Sequence, residues 1–284
     1  MNILVTGANG QLGNELRCLS STYPQVHFVF TDVEELDITD ADAINKMVSA
    51  ENIDLLINCA AYTAVDKAES NAELAHMLNA VAPETLAKAM EAVGGDIIHV
   101  STDYVFDGQG HEPYTEDMEA NPQSVYGRTK WEGEQRVSMA NPRHMIIRTA
   151  WLYSPFGNNF VKTMIRLGNE RESLGVVWDQ AGTPTYAHDL ASAIMQVAVA
   201  KDKVYGTFHY SNEGLTSWFD FTKAIHRLAG ITSCQVNPIR TAEYPTPAHR
   251  PAYSVLDKSK IKKAYNIQIP YWEESLCDCI ERLK

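Results

Sequence analysis

Short apolar runs and amphipathic stretches alternate through the first half of this 284-residue chain. Continuous apolar runs that are each followed by a helical pattern indicate parallel strands covered by helices on both faces. The pattern therefore predicts an α/β fold built on a doubly wound parallel sheet. The predicted strands are Asn2–Thr6, Val26–Asp32, Asp54–Ala61, Asp96–Ser101 and Met145–Thr149, and the predicted helices are Gln11–Leu19, Asp40–Ala50, Glu73–Val93 (divided or restarted at Pro83) and Val125–Met139.

The rhythm changes after about Trp151, where the elements become shorter and less regular. We expect a main domain over residues 1–150, with 180–210 adding to its sheet, and a smaller C-terminal α/β region over 151–179 and 211–284 that binds substrate. The predictions for this half are helices at Asn159–Asn169, Ala187–Ala200 and Trp218–Ala229, a strand at Thr207–Tyr210, a loop over Asn237–Pro251, and two short helices around Pro270.

Charge and cysteine usage narrow the classes of partner. The formal net charge is −12 and no long basic run occurs, which argues against nucleic acid or an anionic membrane as a partner. Five irregularly spaced cysteines disfavour a disulfide framework. No run of 18 apolar residues and no signal-peptide pattern is present. We therefore expect a cytoplasmic protein that binds neither nucleic acid nor membrane.

Three glycines, at positions 7, 10 and 13, follow the first predicted strand directly. Glycine permits a tight turn and lets backbone N–H groups approach a pyrophosphate at the start of a helix. The spacing differs from the usual Gly-x-Gly-x-x-Gly, and an ordinary turn is the alternative. The position between first strand and first helix favours a Rossmann-type domain that binds NADPH or NADH. The predicted cofactor contacts in this loop are Gly7, Asn9, Gly10, Gln11, Leu12 and Gly13.

Acidic residues after the second predicted strand bear on cofactor choice. Asp32 lies 19 residues after Gly13, where a carboxylate can accept both hydroxyls of the adenosine ribose. The same carboxylate would repel a 2′-phosphate, so NADH should bind at least as well as NADPH. A solvent-facing strand end is the alternative. Asp37 and Ile38 either flank the adenine, or Asp37 caps the next helix.

Small residues end the third apolar run, in the order Asn58-Cys59-Ala60-Ala61. They would let a flat ligand lie against the sheet edge, although a close-packed turn would look similar. The predicted cofactor contacts here are Ala60, Ala61, Tyr62 and Thr63.

Hydroxyl and amine groups follow the fourth predicted strand. Ser101, Thr102 and Asp103 end that strand, and the carboxyl ends of such strands are where open α/β sheets bind ligands. Tyr126 and Lys130 are four residues apart on the next predicted helix and so share one face. An ammonium beside a phenol favours the phenolate and lowers the tyrosine pKa. With a hydroxyl to hold the substrate oxygen, this set predicts hydride transfer at a sugar or alcohol carbon.

Over nearly its whole length the chain resembles the extended short-chain dehydrogenase/reductase superfamily and, within it, the dTDP-4-dehydrorhamnose reductases. The Gly loop and the Tyr-Lys pair are shared across the superfamily, whereas the Ala-Val-Asp-Lys-Ala-Glu and Pro-Thr-Pro-Ala-x-Arg-Pro segments are more particular. The segments that carry the resemblance are Asn9–Gly13, Ala64–Glu69, Ser101–Phe106, Val125–Lys130, Arg148–Trp151, Gly157–Phe160 and Tyr244–Pro251.

The resemblance implies reduction of the C4 ketone of dTDP-4-dehydro-L-rhamnose to dTDP-L-rhamnose by NADPH or NADH. Tyr126 would protonate the new C4 oxygen, Lys130 would lower the tyrosine pKa and hold the nicotinamide ribose, and Thr102 would hydrogen-bond the ketone. The implied substrate contacts are Val65, Ser101, Thr102, Asp103, Tyr104, Trp151, Asn159 and Arg250.

Three implied features stay open at this point. Trp151 either lies against the hexose or is a core tryptophan, and Arg250 either reaches the diphosphate or is a solvated loop residue. Some family members carry Mg²⁺ at a dimer contact. No matching carboxylate cluster is evident here, so no metal ligands are predicted, and a homodimer is allowed rather than required.

Two rival functions remain. A 4,6-dehydratase or 4-epimerase would share the fold, but a dehydratase typically has Asp-Glu after its catalytic Ser or Thr, and this chain has Asp103-Tyr104. A non-catalytic, reductase-like regulatory subunit would not need Tyr126, Lys130 and Thr102, and all three are present. A reductase is therefore the favoured interpretation.

Overall fold

A computed structural model describes residues 1–284. The strands are β1 Asn2–Thr6, β2 His27–Thr31, β3 Leu55–Asn58, β4 Asp96–Thr102, β5 His144–Thr149, β6 Leu152–Tyr153, β7 Ser173–Val177, β8 Ala181–Gly182, β9 Thr185–Tyr186, β10 Gly206–His209, β11 Thr216–Ser217 and β12 Gln235–Ile239. The α-helices are α1 Gln11–Leu19, α2 Ala41–Ala50, α3 Val65–Ala68, α4 Ala72–His76, α5 Ala82–Ala92, α6 Val125–Ala140, α7 Phe160–Glu170, α8 Ala187–Ala198, α9 Trp218–Ala229, α10 Ser259–Tyr265 and α11 Trp272–Leu283.

Six strands form one central parallel sheet in the order β2-β1-β3-β4-β5-β10. The chain moves outward from β1 in one direction to β2 and in the other from β3 onward. That reversal opens a crevice outside the carboxyl ends of β1 and β3, which is where open α/β sheets bind ligands. The predicted Rossmann-type parallel sheet is confirmed.

The sheet is covered on both faces, because successive side chains of a strand point to opposite sides. In β1, Ile3 and Val5 pack into a core with helices α1 and α8, whereas Leu4 packs into a second core with α2, α5 and α6. All three side chains are fully buried. The two cores hold the carboxyl ends of the strands in a fixed arrangement.

The C-terminal region has a core of its own, built from α7, α9, α11 and the parallel pair β7–β12. Segment 180–186 belongs here, since β8 pairs with β11 and β9 with β6, so only the later part of 180–210 joins the central sheet through α8 and β10. Ile261 and Ile267, in contrast, pack into the core of the sheet. The division into cofactor and substrate regions stays a prediction.

Three element predictions need correction. Strand β3 ends at Asn58 rather than Ala61, because the chain leaves the sheet there. In the helical region Glu73–Val93, Pro83 lies in the first turn of α5, as one of the two alternatives predicted, but the π-helical turn over Met77–Val81 that precedes it was missed. Part of the predicted loop Asn237–Pro251 is strand β12, whose partner β7 was missed. Pro238 is tolerated there because β12 is an edge strand.

None of the helices has the length and apolarity that crossing a membrane requires.

Candidate active site

One cleft of about 830 Å³ opens along the carboxyl ends of the central strands. It brings together nearly all the residues that the sequence singled out, from the glycine loop to Tyr126. Tyr62 and Arg250 do not line it. The predicted residues in its wall are Gly7, Asn9, Gly10, Gln11, Leu12, Gly13, Asp32, Asp37, Ile38, Ala60, Ala61, Thr63, Val65, Ser101, Thr102, Asp103, Tyr104, Tyr126, Lys130, Trp151 and Asn159.

The glycine loop needs glycine for steric reasons. Gly7 has a φ of +65°, and a Cβ there would lie 2.7 Å from the backbone nitrogen of Ala60. A Cβ on Gly13 would lie 2.5 Å from the Gly7 carbonyl oxygen. Helix α1 has Gly10 as its N-cap and no side-chain cap, so amides of its first turn remain available to a ligand. This cradle fits a dinucleotide pyrophosphate.

The end of the cleft where the sequence predicts adenosine to bind is acidic. Asp32 Oδ2 accepts a hydrogen bond from the backbone N–H of Asn9 at 2.9 Å, which links the carboxylate to the glycine loop. Asp37 accepts from the Thr39 amide and hydroxyl, and these bonds lower its pKa. Asp40, and not Asp37, caps helix α2, so the capping alternative for Asp37 is wrong. Lys130 is the single lysine or arginine in the wall of the cleft.

Tyr126 and Lys130 lie in the first turns of helix α6 and both face the cleft. Ser124 caps this helix by accepting the Gly127 amide at 3.1 Å. Gly127 itself is required, because a Cβ there would lie 2.3 Å from the Tyr104 carbonyl oxygen. The rings of Tyr104 and Tyr126 meet edge to face, with centroids 5.5 Å apart. The helix start is thereby pressed against the end of β4.

Burial has the largest effect on the pKa values of both Tyr126 and Lys130. Desolvation raises the pKa of Tyr126 well above its ordinary value, although a hydrogen bond with Thr102 opposes the shift. Desolvation also lowers the pKa of Lys130 to about 8, although the nearby Glu134 carboxylate opposes this shift. The pKa of Tyr126 is therefore raised, opposite to the lowering that the sequence predicted from the neighbouring ammonium. A tyrosine that holds its proton is suited to act as an acid, and this lysine can lose its proton near neutral pH.

The end of β4 carries polar atoms without partners. Thr102 Oγ1 donates to Asp103 Oδ1 at 2.9 Å and accepts the Tyr104 amide at 3.2 Å. Ser101 Oγ and Asp103 Oδ2 are buried and unpaired. Burial raises the pKa of Asp103 to about 6. Because buried polar groups are almost always paired in native proteins, these atoms are suited to a hydroxyl-rich ligand.

Three predicted substrate contacts already have protein partners. Trp151, with a φ of 48°, stacks on Trp218 at a centroid distance of 3.5 Å, so one face of its ring is covered. Asn159 caps helix α7 and donates to Gln11 Oε1 at 2.9 Å, which joins the C-terminal region to helix α1.

The third of these contacts, Arg250, is held beside the cleft rather than in its wall. Its guanidinium donates to Asp66 Oδ2 at 2.6 Å and to the Tyr104 hydroxyl at 2.9 Å. The solvated-loop alternative therefore does not describe this residue. To reach a diphosphate, as predicted, it would have to leave Asp66.

Tyr62 is a backbone anchor in this structure. Its N–H donates to Asn79 Oδ1 at 2.8 Å, and its carbonyl accepts from Asn79 Nδ2 at 3.2 Å. Asn79 lies in the π-helical turn, so an irregularity of the helix positions the segment that follows β3. π-Helical turns are frequent at functional sites.

Ten residues of the wall were not predicted. Those that end strands could have been found from the rule that parallel strands meet at one edge, whereas Leu78, in the π-helical turn, gave no local signal. The unpredicted residues are Val33, Leu36, Cys59, Leu78, Val100, Thr149, Ala150, Leu152, Gly157 and Asn158.

The structure also has no group of three or more His, Cys, Asp or Glu side chains arranged to hold a metal ion, so it offers no support for the Mg²⁺ that the resemblance allowed.

Comparison with known proteins agrees with this geometry. A family model described as the RmlD substrate binding domain matches residues 1–284. A dTDP-4-dehydrorhamnose reductase of Aggregatibacter actinomycetemcomitans is 42% identical over 283 residues, covering 96% of each chain. The solved structure of such a reductase from Clostridium acetobutylicum has a TM-score of 0.95 at 48% identity, covering 100% of this chain and 99% of its own. One from Bacillus anthracis, in complex with NADP, has a TM-score of 0.94 at 40% identity and covers 99% of both chains. The chain belongs to the dTDP-4-dehydrorhamnose reductase family.

Proposed function

We propose that this protein reduces the C4 ketone of dTDP-4-dehydro-L-rhamnose to give dTDP-L-rhamnose, with a nicotinamide dinucleotide as reductant. The observation that carries the proposal is the convergence of Tyr126, Lys130 and Thr102 with the glycine loop in one cleft. The identity of the sugar rests on the names of relatives that are about 40% identical over nearly their full length.

The residues at the end of β4 and the start of α6 divide the work at the ketone. When bound, the reduced nicotinamide supplies the hydride. Tyr126, kept protonated by burial, gives its proton to the new C4 oxygen. Thr102 aims its hydroxyl at the same oxygen once it releases Asp103. Lys130 then restores the proton of the tyrosine, because its own pKa of about 8 makes it a proton donor at neutral pH.

Sugar hydroxyls would be held by the polar atoms that have no partner. Ser101 Oγ and Asp103 Oδ2 are the buried candidates, and both residues line the cleft. Trp151 supports the hexose with the part of its ring that Trp218 leaves uncovered. Arg250 acts on the substrate either through Tyr104 or by exchanging Asp66 for the diphosphate.

NADH is the cofactor that the adenosine end of the cleft favours. Asp32 and Asp37 line the end of the cleft that we expect to hold the adenosine ribose, and no arginine or lysine lines that end. A carboxylate there accepts ribose hydroxyls and repels a phosphate. The Bacillus anthracis relative binds NADP, so the expected preference is one of degree rather than exclusion. A cytoplasmic location and a homodimer stay predictions.

A spectrophotometric assay tests the proposal. dTDP-4-dehydro-6-deoxyglucose is supplied with a 3,5-epimerase, and the loss of NADH or NADPH absorbance is followed with and without added Mg²⁺. We expect turnover with both cofactors, a higher kcat/KM with NADH, and dTDP-L-rhamnose as the product. Absence of turnover with either cofactor, in protein that binds both, would reject the reductase.

A further inference from the structure

A chain of four buried side chains runs beneath the cleft and ends at the catalytic lysine. Thr6 Oγ1 donates to Asn58 Oδ1 at 2.7 Å, Asn58 Nδ2 contacts His99 Nδ1 at 3.0 Å, and His99 Nε2 lies 3.5 Å from Lys130 Nζ. All four residues are at most 2% exposed. His99 is fully buried, and nothing in the proposed chemistry has so far used it.

The orientation of the Asn58 amide is determined by its neighbours. The backbone N–H of Ala60 lies 3.1 Å from Asn58 Oδ1, and a backbone N–H can only donate. The oxygen of the amide must therefore face Ala60 and Thr6. Its NH₂ group is left to donate to His99 Nδ1.

This contact selects the tautomer of His99. Nδ1 accepts a hydrogen bond, so it carries no proton, and the proton of the neutral ring is on Nε2. Burial lowers the pKa of His99 well below its ordinary value, and the charge of Lys130 lowers it further, so the ring stays neutral. The Nε2–H group consequently points at Lys130 Nζ.

An Nε2–H group discriminates between the two forms of the lysine. Against an ammonium it places one donor opposite another, whereas a neutral amine can accept from it with its lone pair. Nζ meanwhile donates to the Val100 carbonyl at 2.7 Å, which holds the amine in place in either form. The imidazole thus favours the uncharged lysine.

Other groups near Lys130 do not reverse this preference. Glu134, one turn further along α6, favours the ammonium but is already paired with Arg148 at 2.7 Å. Cys59 favours it too, but burial raises the pKa of this thiol to about 12, so it is uncharged at neutral pH. Tyr126 is likewise protonated and uncharged. Burial remains the largest influence, and it acts in the same direction as His99.

We propose that His99, oriented by Asn58, is a positioning residue that aims Nε2–H at Lys130 and so makes the lysine ready to give up its proton in each turnover. This rests on the proposed function. The tyrosine O–H proton goes to the C4 oxygen, an N–H bond of the ammonium breaks as the tyrosine O–H re-forms, and the neutral amine accepts from His99 until solvent returns a proton.

Two substitutions separate this role from simple packing. His99→Asn keeps an acceptor for Asn58 near the position of Nδ1 but removes the donor that faces Lys130. His99→Gln is the matched control, because its amide can place an N–H near the position of Nε2. Asn58→Asp provides an independent test, since a carboxylate would draw the imidazole proton to Nδ1 and turn Nε2 into an acceptor for the ammonium.

The measurements are the pH dependence of kcat/KM with NADH and the ¹³C NMR titration of the Lys130 Cε signal, assigned by its loss in Lys130→Met. In His99→Asn and Asn58→Asp we expect the alkaline limb of the kcat/KM profile and the midpoint of the Lys130 NMR titration to move to higher pH. The expected shift is about half to one pH unit, which is the size of the pKa change that a nearby polar or charged group produces. His99→Gln should stay near wild type.

The proposal is wrong if the variants are slower at every pH while the alkaline limb of kcat/KM and the Lys130 NMR titration stay where they are in wild type. His99 would then be a packing residue. Because the NMR titration needs no substrate, it decides the role of His99 even if the reductase assay fails. Asn58→Asp leaves residue 99 unchanged, but its charge alone raises the Lys130 pKa, so it is compared with Asn58→Asp/His99→Gln, which carries the same charge without an imidazole. A larger shift in Asn58→Asp supports the change of tautomer should His99→Asn not fold, and equal shifts overturn the proposal.

Discussion

Replacing Lys130 with methionine should make the ligand-free protein more stable while it abolishes turnover. The amine is buried, and desolvation lowers its pKa from 10.5 to about 8. At about 1.4 kcal/mol per pKa unit, the folded protein loses about 3 kcal/mol by holding the ammonium at pH 7. Methionine has a similar unbranched length and carries no charge.

The lost hydrogen bond to the Val100 carbonyl offsets about 1 kcal/mol of that gain. With an unfolding entropy of about 2.1 cal/mol/K per residue, a net stabilisation of about 2 kcal/mol raises the Tm of this 284-residue protein by about 3 °C. The measurement is thermal or urea unfolding of the ligand-free protein between pH 6 and pH 10.5.

The dependence on pH identifies the cause. Below about pH 8 both folded and unfolded wild type hold the lysine proton, so the variant has its full advantage. Between pH 8 and 10.5 the unfolded chain binds more protons than the folded one, and wild-type stability rises with pH. The advantage of the variant should shrink across this window and be gone near pH 10.5.

Lys88→Met is the matched control, because Lys88 is a helical lysine with a 64% exposed side chain in a surface pair with Glu84. Its effect should stay within about 1 kcal/mol, because a solvent-exposed ion pair contributes little to stability. A Lys130→Met protein that is less stable than wild type at pH 7, or whose advantage persists at pH 10.5, would refute the idea of a desolvated ammonium.

Three further substitutions probe the rest of the cleft. Tyr126→Phe should lower kcat by about 10²–10⁴ with little change in NADH affinity, and near-normal turnover would remove the tyrosine from proton transfer. Asp32→Ala should raise the Kd of NADH more than that of NADPH in a fluorescence titration, whereas equal changes would mean that the carboxylate does not touch the ribose. Arg250→Ala should raise KM for the nucleotide sugar and leave the Kd of NADH nearly unchanged, since Arg250 does not line the cleft that contains the glycine loop. A matching loss of NADH affinity would contradict this placement.

Much of the cleft could be predicted from sequence because its parts are local. A glycine with positive φ next to a first strand, a tyrosine and lysine one helical turn apart, and polar residues at a strand end are all patterns within a few residues. Parallel strands bring their carboxyl ends to one edge, so Gly7, Thr102 and Tyr126 were expected in one place, and the structure puts them there.

Contacts between distant segments were not predictable in the same way. The ion pair of Arg250 with Asp66 joins residues 184 positions apart, and it holds the arginine outside the wall of the cleft. Strand β7 was missed because its pattern is weak and its partner β12 contains a proline. The π-helical turn that positions Tyr62 through Asn79 likewise has no local signature.

The amino-acid sequence by itself determined the parallel sheet, the glycine cradle and the pairing of Tyr126 with Lys130, since periodicity and spacing act over a few residues. Only the tertiary structure decided the protonation of that pair. A pKa depends on how much solvent the surrounding elements exclude, and helix α6, the ends of β3 and β4, and His99 together bury the lysine. For this reason burial raises the pKa of Tyr126, whereas the sequence alone had predicted that it would be lowered.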